Sequence, residues 1–285
     1  MKNILVPVDF SDVSRYAASF AADLAKHSEG EVTLLHCVHF DYTYDFQYAN
    51  TDTIQSNMDE VMANAKIQME EFVKTLGSNI NLETRVESNS MLNAIKELSK
   101  EQQIDLLVMG TRGSSGLEEV FIGSNTEKIA RHASCPVISI PEEVKFDDIN
   151  KVLVAIDVRE VRESFLSQVA RLQKLFKCEL EFIWVKGSHA NMDENKIGQE
   201  LSKILNAIGV ENYKFFVVEN IHPSDGIFIE AHDSKANMVA MATHARRGIA
   251  HWWAGSMTED TINHLDIPVW SFKIDKSEKR LKLEG

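Results

Sequence analysis

The sequence predicts an α/β protein built as two tandem doubly wound domains, each with a mainly parallel five-stranded sheet. Three observations predict it. The chain is written twice, each half alternates short apolar runs with amphipathic helical patterns, and those runs are nearly unbroken Val, Ile and Leu. Strands buried on both faces need such runs, whereas a strand with one wet face would alternate apolar and polar residues.

The repeat is read from two blocks. "NILVPVDFSDVS" near the start returns as "KVLVAIDVREVR" from Lys151, with Asp9 facing Asp157, and "VTLLHCV" returns as "LEFIWVK". "DLLVMGTRGSSGLEEVFIGSNTEKIARHASCPVISI" returns without a gap as "NMVAMATHARRGIAHWWAGSMTEDTINHLDIPVWSF". The first block is offset by 148 residues and the second by 132, so the first half carries an insertion between Val38 and Leu82, placed at "HFDYTYDFQYANTDTIQ". The expected domains are 1–143 and 149–275, with 276–285 as a polar, solvated tail and the acidic linker "PEEVKFDDIN" between the halves.

In the first half the strands are expected at Ile4 to Val8, Val32 to Val38, Leu82 to Val86, Leu106 to Met109 and Val137 to Ile140. Ser11 can cap a helix that carries Val13, Ala17, Phe20, Ala21 and Leu24 on one side. Met58, Val61, Met62, Ala65, Met69, Phe72 and Leu76 line a second helix that stops at Gly77, with methionine as core filler. Tyr42, Tyr44, Phe46 and Tyr48 of the insertion alternate as an aromatic edge, read as packing or interface material ahead of a nucleotide cover.

Composition narrows the function. A net charge of -13 opposes broad binding to nucleic acid or anionic membrane, both of which call for dense Lys and Arg. No apolar run approaches the ~20 residues of a bilayer span, and the start shows no signal-peptide cleavage region, so the expected location is cytoplasmic. Cys37, Cys135 and Cys178 lie apart without a CxxC pair and are read as buried free thiols.

The chemistry-bearing stretch is "GTRGSSGLEEVFIGS", from Gly110 to Ser124, directly after an apolar run. Ligands of open parallel sheets sit beyond the carboxyl ends of strands, and both Asp9 and Gly110 fall at such ends. Gly110 and Gly113 would take φ > 0 or let a ligand come close, and Gly123-Ser124 would open a helix whose free N–H groups attract a phosphate. Ser124 with Glu127 also fits a capping box, and Asp9 fits a turn residue, so each has a plain structural reading beside the ligand reading. GxxxxGK[ST], GxGxxG, GxSxG and HExxH are all absent.

Gly110, two residues, Gly113, nine residues and then Gly123-Ser124, with "ILVPVDFS" and "CPVISI" as first and last strands, resembles the universal stress proteins in their tandem form, and in the first half the ATP-binding branch. The resemblance covers nearly the whole chain and implies an adenine nucleotide alpha hydrolase-like fold. It implies that Pro7, Val8 and Asp9 line the adenine and ribose side with Cys37, where valine is usual. Met109 and Gly110 would flank the ribose, and Arg112, Gly113, Gly123, Ser124, Asn125 and Thr126 would surround the phosphates. The implied ligand is ATP or another adenine nucleotide, with Mg2+ where a triphosphate is present. The implied partners are the two halves themselves, joined through "VISI" and "VWSF" as an internal dimer, with whole-chain pairing and an unknown protein partner left open.

The second half departs from the pattern, with Ala242 and Ala245 standing where Gly110 and Gly113 stand. If those positions need φ > 0, each methyl costs roughly 1–2 kcal/mol, and two such changes weaken binding about a hundredfold. A weak or empty second site is therefore expected, formed by Asp157, Val185, Met241, His244, Gly255, Ser256, Met257 and Thr258. Trp252 and Trp253 are read as packing residues. No residue set argues for fast chemistry, so the expectation is a regulatory nucleotide binder and not an enzyme. A slow ATPase and an interaction scaffold without nucleotide stay open as alternatives.

Overall fold

The computed structural model describes residues 1–38, 51–77, 81–111, 129, 133–187, 192–220, 222–244, 265–275 and 277–283. Its first half runs β1 (Asn3–Pro7), α1 (Asp12–Ser28), β2 (Glu31–Cys37), α2 (Thr51–Thr75), β3 (Leu82–Glu87), α3 (Met91–Glu101), β4 (Leu106–Gly110) and β5 (Val137–Ile140). A 3-10 turn, Phe146–Asp148, leads into β6 (Lys151–Ala155), α4 (Glu163–Phe176), β7 (Glu179–Lys186), α5 (Glu194–Ala207), β8 (Tyr213–Glu219), α6 (Pro223–Asp233), β9 (Met238–His244) and β10 (Val269–Ile274).

The strands form one ten-stranded sheet in the order β3-β2-β1-β4-β5-β10-β9-β6-β7-β8. Within each half every pairing is parallel, as the unbroken apolar runs require. The two expected five-stranded sheets are thus fused. Their seam is the antiparallel pair β5–β10, with Ser139 opposite Val269 and Val137 opposite Ser271, which unites the "VISI" and "VWSF" segments. Pairing the two strands covers edges that would otherwise invite association.

Ser11 caps α1 as expected, its side chain accepting from the Ser14 N–H at 3.2 Å. The apolar stripe of α1 then buries Ala17, Ala18, Phe20, Ala21 and Leu24 against the sheet. On that face a single cluster runs through both halves, from Ile4 and Phe20 to Val152, Phe176 and Trp270. The opposite face carries two separate clusters, one around Leu5, Ile95 and Leu107 and one around Leu153, Ile227 and Met241. The halves are therefore joined by their α1 and α4 side. Phe176 stacks on Phe20 at 6.2 Å and on Phe146 at 4.8 Å, and Phe146 stacks on His27 at 4.2 Å.

Three expectations need correction. The linker is not simply polar, because Phe146 and Ile149 bury themselves in the shared cluster. The tail is not a solvated end, since Leu283 is buried, the Leu281 N–H donates to the Val161 carbonyl at 3.0 Å and the Ser164 hydroxyl donates to Glu278 at 2.5 Å. In α2, Ala65, Met69 and Phe72 are buried and Gly77 ends the helix region with φ +84°, but Val61 is 44% exposed and the helix already begins at Thr51, inside the proposed insertion. Tyr42, Tyr44, Phe46 and Tyr48 lie outside the described residues.

Among the described residues no helix is long and apolar enough to cross a membrane. Cys135 and Cys178 are buried as expected, whereas Cys37 is half-buried. Burial pushes Cys37 and Cys135 up to about 12 and Cys178 up to about 11, so none is a thiolate near neutrality.

Candidate functional site

Strand order reverses between β1 and β4 in the first half and between β6 and β9 in the second, and at each reversal the connections leave to opposite sides and open a crevice. The residues that close these strands define the two candidate sites.

In the first half, β1 ends at Pro7 and the chain turns through Asp9 and Phe10, the latter at φ 65°. Asp9 is half-buried, and its Oδ1 accepts from the Ser11 N–H at 3.1 Å and the Ser11 hydroxyl at 2.5 Å. The turn role expected of Asp9 is therefore real, and it aims the carboxylate at the strand end. Pro7 and Val8 are buried, and Val8 packs into the cluster on the α1 face. Its N–H donates to the Leu35 carbonyl at 2.9 Å, and its own carbonyl pairs with His36 Nδ1 at 2.8 Å. Phe10 lies over His36 with ring centroids 4.3 Å apart, walling this end of the crevice. Cys37 closes β2 half-buried, and Met109 is buried in the cluster behind β4.

Gly110 closes β4, and of the two readings of this glycine the φ > 0 one falls away. Its φ is outside the left-handed region, and a Cβ there would meet Val13 Cγ1 at 2.9 Å and the Val13 backbone at 3.1 and 3.2 Å. The glycine lets the first turn of α1 sit on the strand end. The penalty assigned to Ala242 for an L-residue at φ > 0 consequently falls away, since the matching position in β4 is ordinary strand. Arg112, Gly113, Gly123, Ser124, Asn125 and Thr126 lie outside the described residues.

The second half places Asp157, Val185 and Met241 around the β6, β7 and β9 ends, with His244 closing the β9 backbone. Gly255, Ser256, Met257 and Thr258, like Ala245, Trp252 and Trp253, lie outside the described residues. Asp157 is clamped. Arg159 donates from Nε to Oδ1 at 3.0 Å and from a terminal nitrogen to Oδ2 at 3.1 Å, and its backbone N–H adds a third bond at 3.1 Å. The carboxylate holds the Arg159 guanidinium pKa above its ordinary value. A small cavity of about 50 Å³ lies beside this clamp, bounded by Ile183, Trp184, Val185, Pro223 and Ile227.

On the α4 side of the same strand ends lies a second cavity, of about 70 Å³, bounded by Glu160, Val161, Arg162, Phe165, Met241, Ala242 and Ile274. Arg162 is 2% exposed. Sequence reasoning passed over Arg159 and Arg162, although both follow directly in "DVREVR", where the first half has the hydroxyls Ser11 and Ser14. Among the described residues no three His, Cys, Asp or Glu side chains gather as a metal site.

Comparison with known proteins sorts these features. The universal stress protein family model matches the chain twice, over residues 1–141 and 148–273. This chain belongs to the universal stress protein family. It does so in tandem, and two curated relatives align with about half of it. A universal stress protein of Methanocaldococcus jannaschii is 28% identical over 149 residues, 84% of that protein but 50% of this chain. A putative universal stress protein of Staphylococcus haemolyticus is 30% identical over 165 residues, 96% of that protein and 56% of this chain. The crystal structure of a universal stress protein from Archaeoglobus fulgidus superposes with a TM-score of 0.69 at 20% identity, covering 97% of each chain, which shows the two-unit fold in full.

Proposed function

We propose that this tandem universal stress protein is a regulatory binder of an adenine nucleotide, held by its first half. The observation that carries the reading is the joint placement of Asp9 and Gly110 at the β1/β4 reversal, where Val13, four residues beyond Asp9, touches the Gly110 position. The half-exposed Asp9 carboxylate, held by Ser11, suits a ribose hydroxyl donor. Pro7, Val8 and Cys37 would bound the base, with Met109 and Gly110 beside the ribose. The stretch after Gly110 would supply the phosphate ligands: Arg112, Gly113, Gly123, Ser124, Asn125 and Thr126, with Mg2+ between phosphates in a triphosphate complex. Its hydroxyls and main-chain amides suit an anion even on an acidic protein, because such dipoles act at contact distance. Domains 1–143 and 149–275 would then be a loaded and a weak or empty unit of one binder.

Bound as a stable state, the nucleotide would report its own concentration to a partner, and the chain would not be an enzyme. The test is to denature the purified chain, identify any released nucleotide by mass spectrometry, and titrate ATP, ADP and AMP into the nucleotide-free protein. Asp9→Ala should weaken binding by about tenfold or more, the worth of one hydrogen bond to a charged group. Equal affinity in the variant would remove the ribose assignment, sustained hydrolysis would favour the slow-ATPase reading, and no binding at all would favour a scaffold.

A further inference from the structure

The cavity on the α4 side shares Asp157 with the second-half crevice but opens toward α4, where the nucleotide reading places no ligand. In repeat register α4 starts three positions later than α1, at Glu163 where the counterpart of Asp12 is Glu160. The turn that packs on Gly110 in the first half is absent here, and the space it would fill is the 70 Å³ cavity over Ala242. That volume exceeds the ~15 Å³ needed for one water several times over.

The cavity is two-sided in chemistry. Its apolar side is Val161, Phe165 and Ile274, with Ala242 beneath. Its polar side is Arg162, which spends its terminal nitrogens on the Glu160 carbonyl at 2.8 Å and the Glu160 carboxylate at 3.2 Å, while its buried Nε–H has no acceptor among the described residues. An unpaired buried donor on a cation is costly, and an anionic acceptor placed against it recovers that cost. Arg162 is also the N-cap of α4 and offers it no side-chain acceptor, so the helix begins with uncapped amides at the same spot. Glu160 does not neutralise the site, because it is shared with Arg280 at 2.9 Å, and Asp157 is held by Arg159. The cavity wall itself holds Arg162, Asp157 and Glu160, and the two carboxylates are each engaged by a further arginine, Arg159 or Arg280, that lies off the wall. The tail closes the outside, with Arg280 bridging to Arg162 and Leu281 hydrogen-bonded to Val161.

We propose that this cavity binds a small organic carboxylate, with its head on the Arg162 Nε–H and the first amides of α4 and its short apolar body against Val161, Phe165 and Ile274. The second half would then sense a small acid where the first half senses a nucleotide.

Propionate is the probe, titrated into the full chain at constant ionic strength and followed by the 13C-methyl resonances of the isoleucines and methionines, since Ile274 lines this cavity and Met109 lies behind the first-half site. A saturable shift of Ile274 with Met109 unmoved is expected. Ala242→Val, which fills the cavity, should abolish it, and Arg162→Lys, which keeps the charge but loses the Nε–H, should weaken it by about tenfold or more. No saturable shift in the unmodified chain, a shift that survives both variants, or a response to inorganic phosphate without one to propionate would overturn the proposal. ATP titration of the same samples reads the first half separately, so failure at one site is not mistaken for failure at the other.

Discussion

Two halves with the same strand order leave their first strand in different ways. In the first, Asp9 is held by the hydroxyl and N–H of Ser11, α1 starts at once, and Gly110 admits Val13 at contact distance. In the second, Asp157 is clamped by a guanidinium, α4 starts late, and Ala242 faces a cavity. The glycine at the end of β4 and the alanine at the end of β9 therefore answer to where the following helix begins, before any ligand is considered. The strand cores diverge as well. Asn3 and Thr33 of the first half correspond to Lys151 and Glu181 of the second, where Lys151 Nζ meets a Glu181 carboxylate that is 3% exposed at 3.2 Å.

That pair yields the largest expected effect. Lys151→Met leaves the Glu181 carboxylate with Lys214 at 3.6 Å and an unpartnered Oε2, and should cost about 3 kcal/mol in denaturant unfolding. Importing the first-half solution whole, Lys151→Asn with Glu181→Thr, should return stability to within about 1 kcal/mol of the parent. A Lys151→Met chain as stable as the parent would show that the pair is not what holds this half. Next in size is Gly110→Val, which drives a branched side chain into the Val13 backbone and should cost about 1–3 kcal/mol, whereas Ala242→Val should cost less than about 1 kcal/mol. Equal costs would break the link between helix start and strand-end residue.

Much of this contrast was legible in the sequence, and what was missed has a physical pattern. The strands were readable because both faces are buried, leaving continuous runs such as "ILV" and "LLVM" without polar interruption. The seam was readable because "VISI" and "VWSF" end their halves as apolar strands with nothing else to pair. The role of Gly110 was not, since a glycine needed for a close contact and one needed for φ > 0 look alike in a string of letters, and contact with Val13 exists only in three dimensions. The tail misled for a related reason. "KSEKRLKLEG" is mostly polar, yet two leucines and one ion pair to Glu160 suffice to dock it on an edge that the late start of α4 leaves open. The cavity was invisible because a void has no residue of its own.

Smaller effects separate the two aspartates. Ser11→Ala removes the α1 cap and the hydroxyl bond to Asp9, leaving the backbone N–H bond, and should cost about 1 kcal/mol, with a matching loss of nucleotide affinity if Asp9 needs that hydroxyl to hold its aim. Unchanged affinity would mean that Asp9 orients itself.

Arg159→Ser is the reciprocal change, writing the first-half residue into the second half. The Arg159 side chain is two-thirds exposed and that of Asp157 one-third, so removing the clamp should alter stability by less than about 0.5 kcal/mol. Its effect on binding should be larger than its effect on folding, because the Asp157 oxygens now spent on the guanidinium would become acceptors for a nucleoside hydroxyl in the cavity beside Val185. Adenosine titrated into the variant should therefore show a second, weak binding event that the parent lacks. If it does not, the clamp is a consequence of the lost second site and not its cause, and the barrier to binding lies beyond the β9 end.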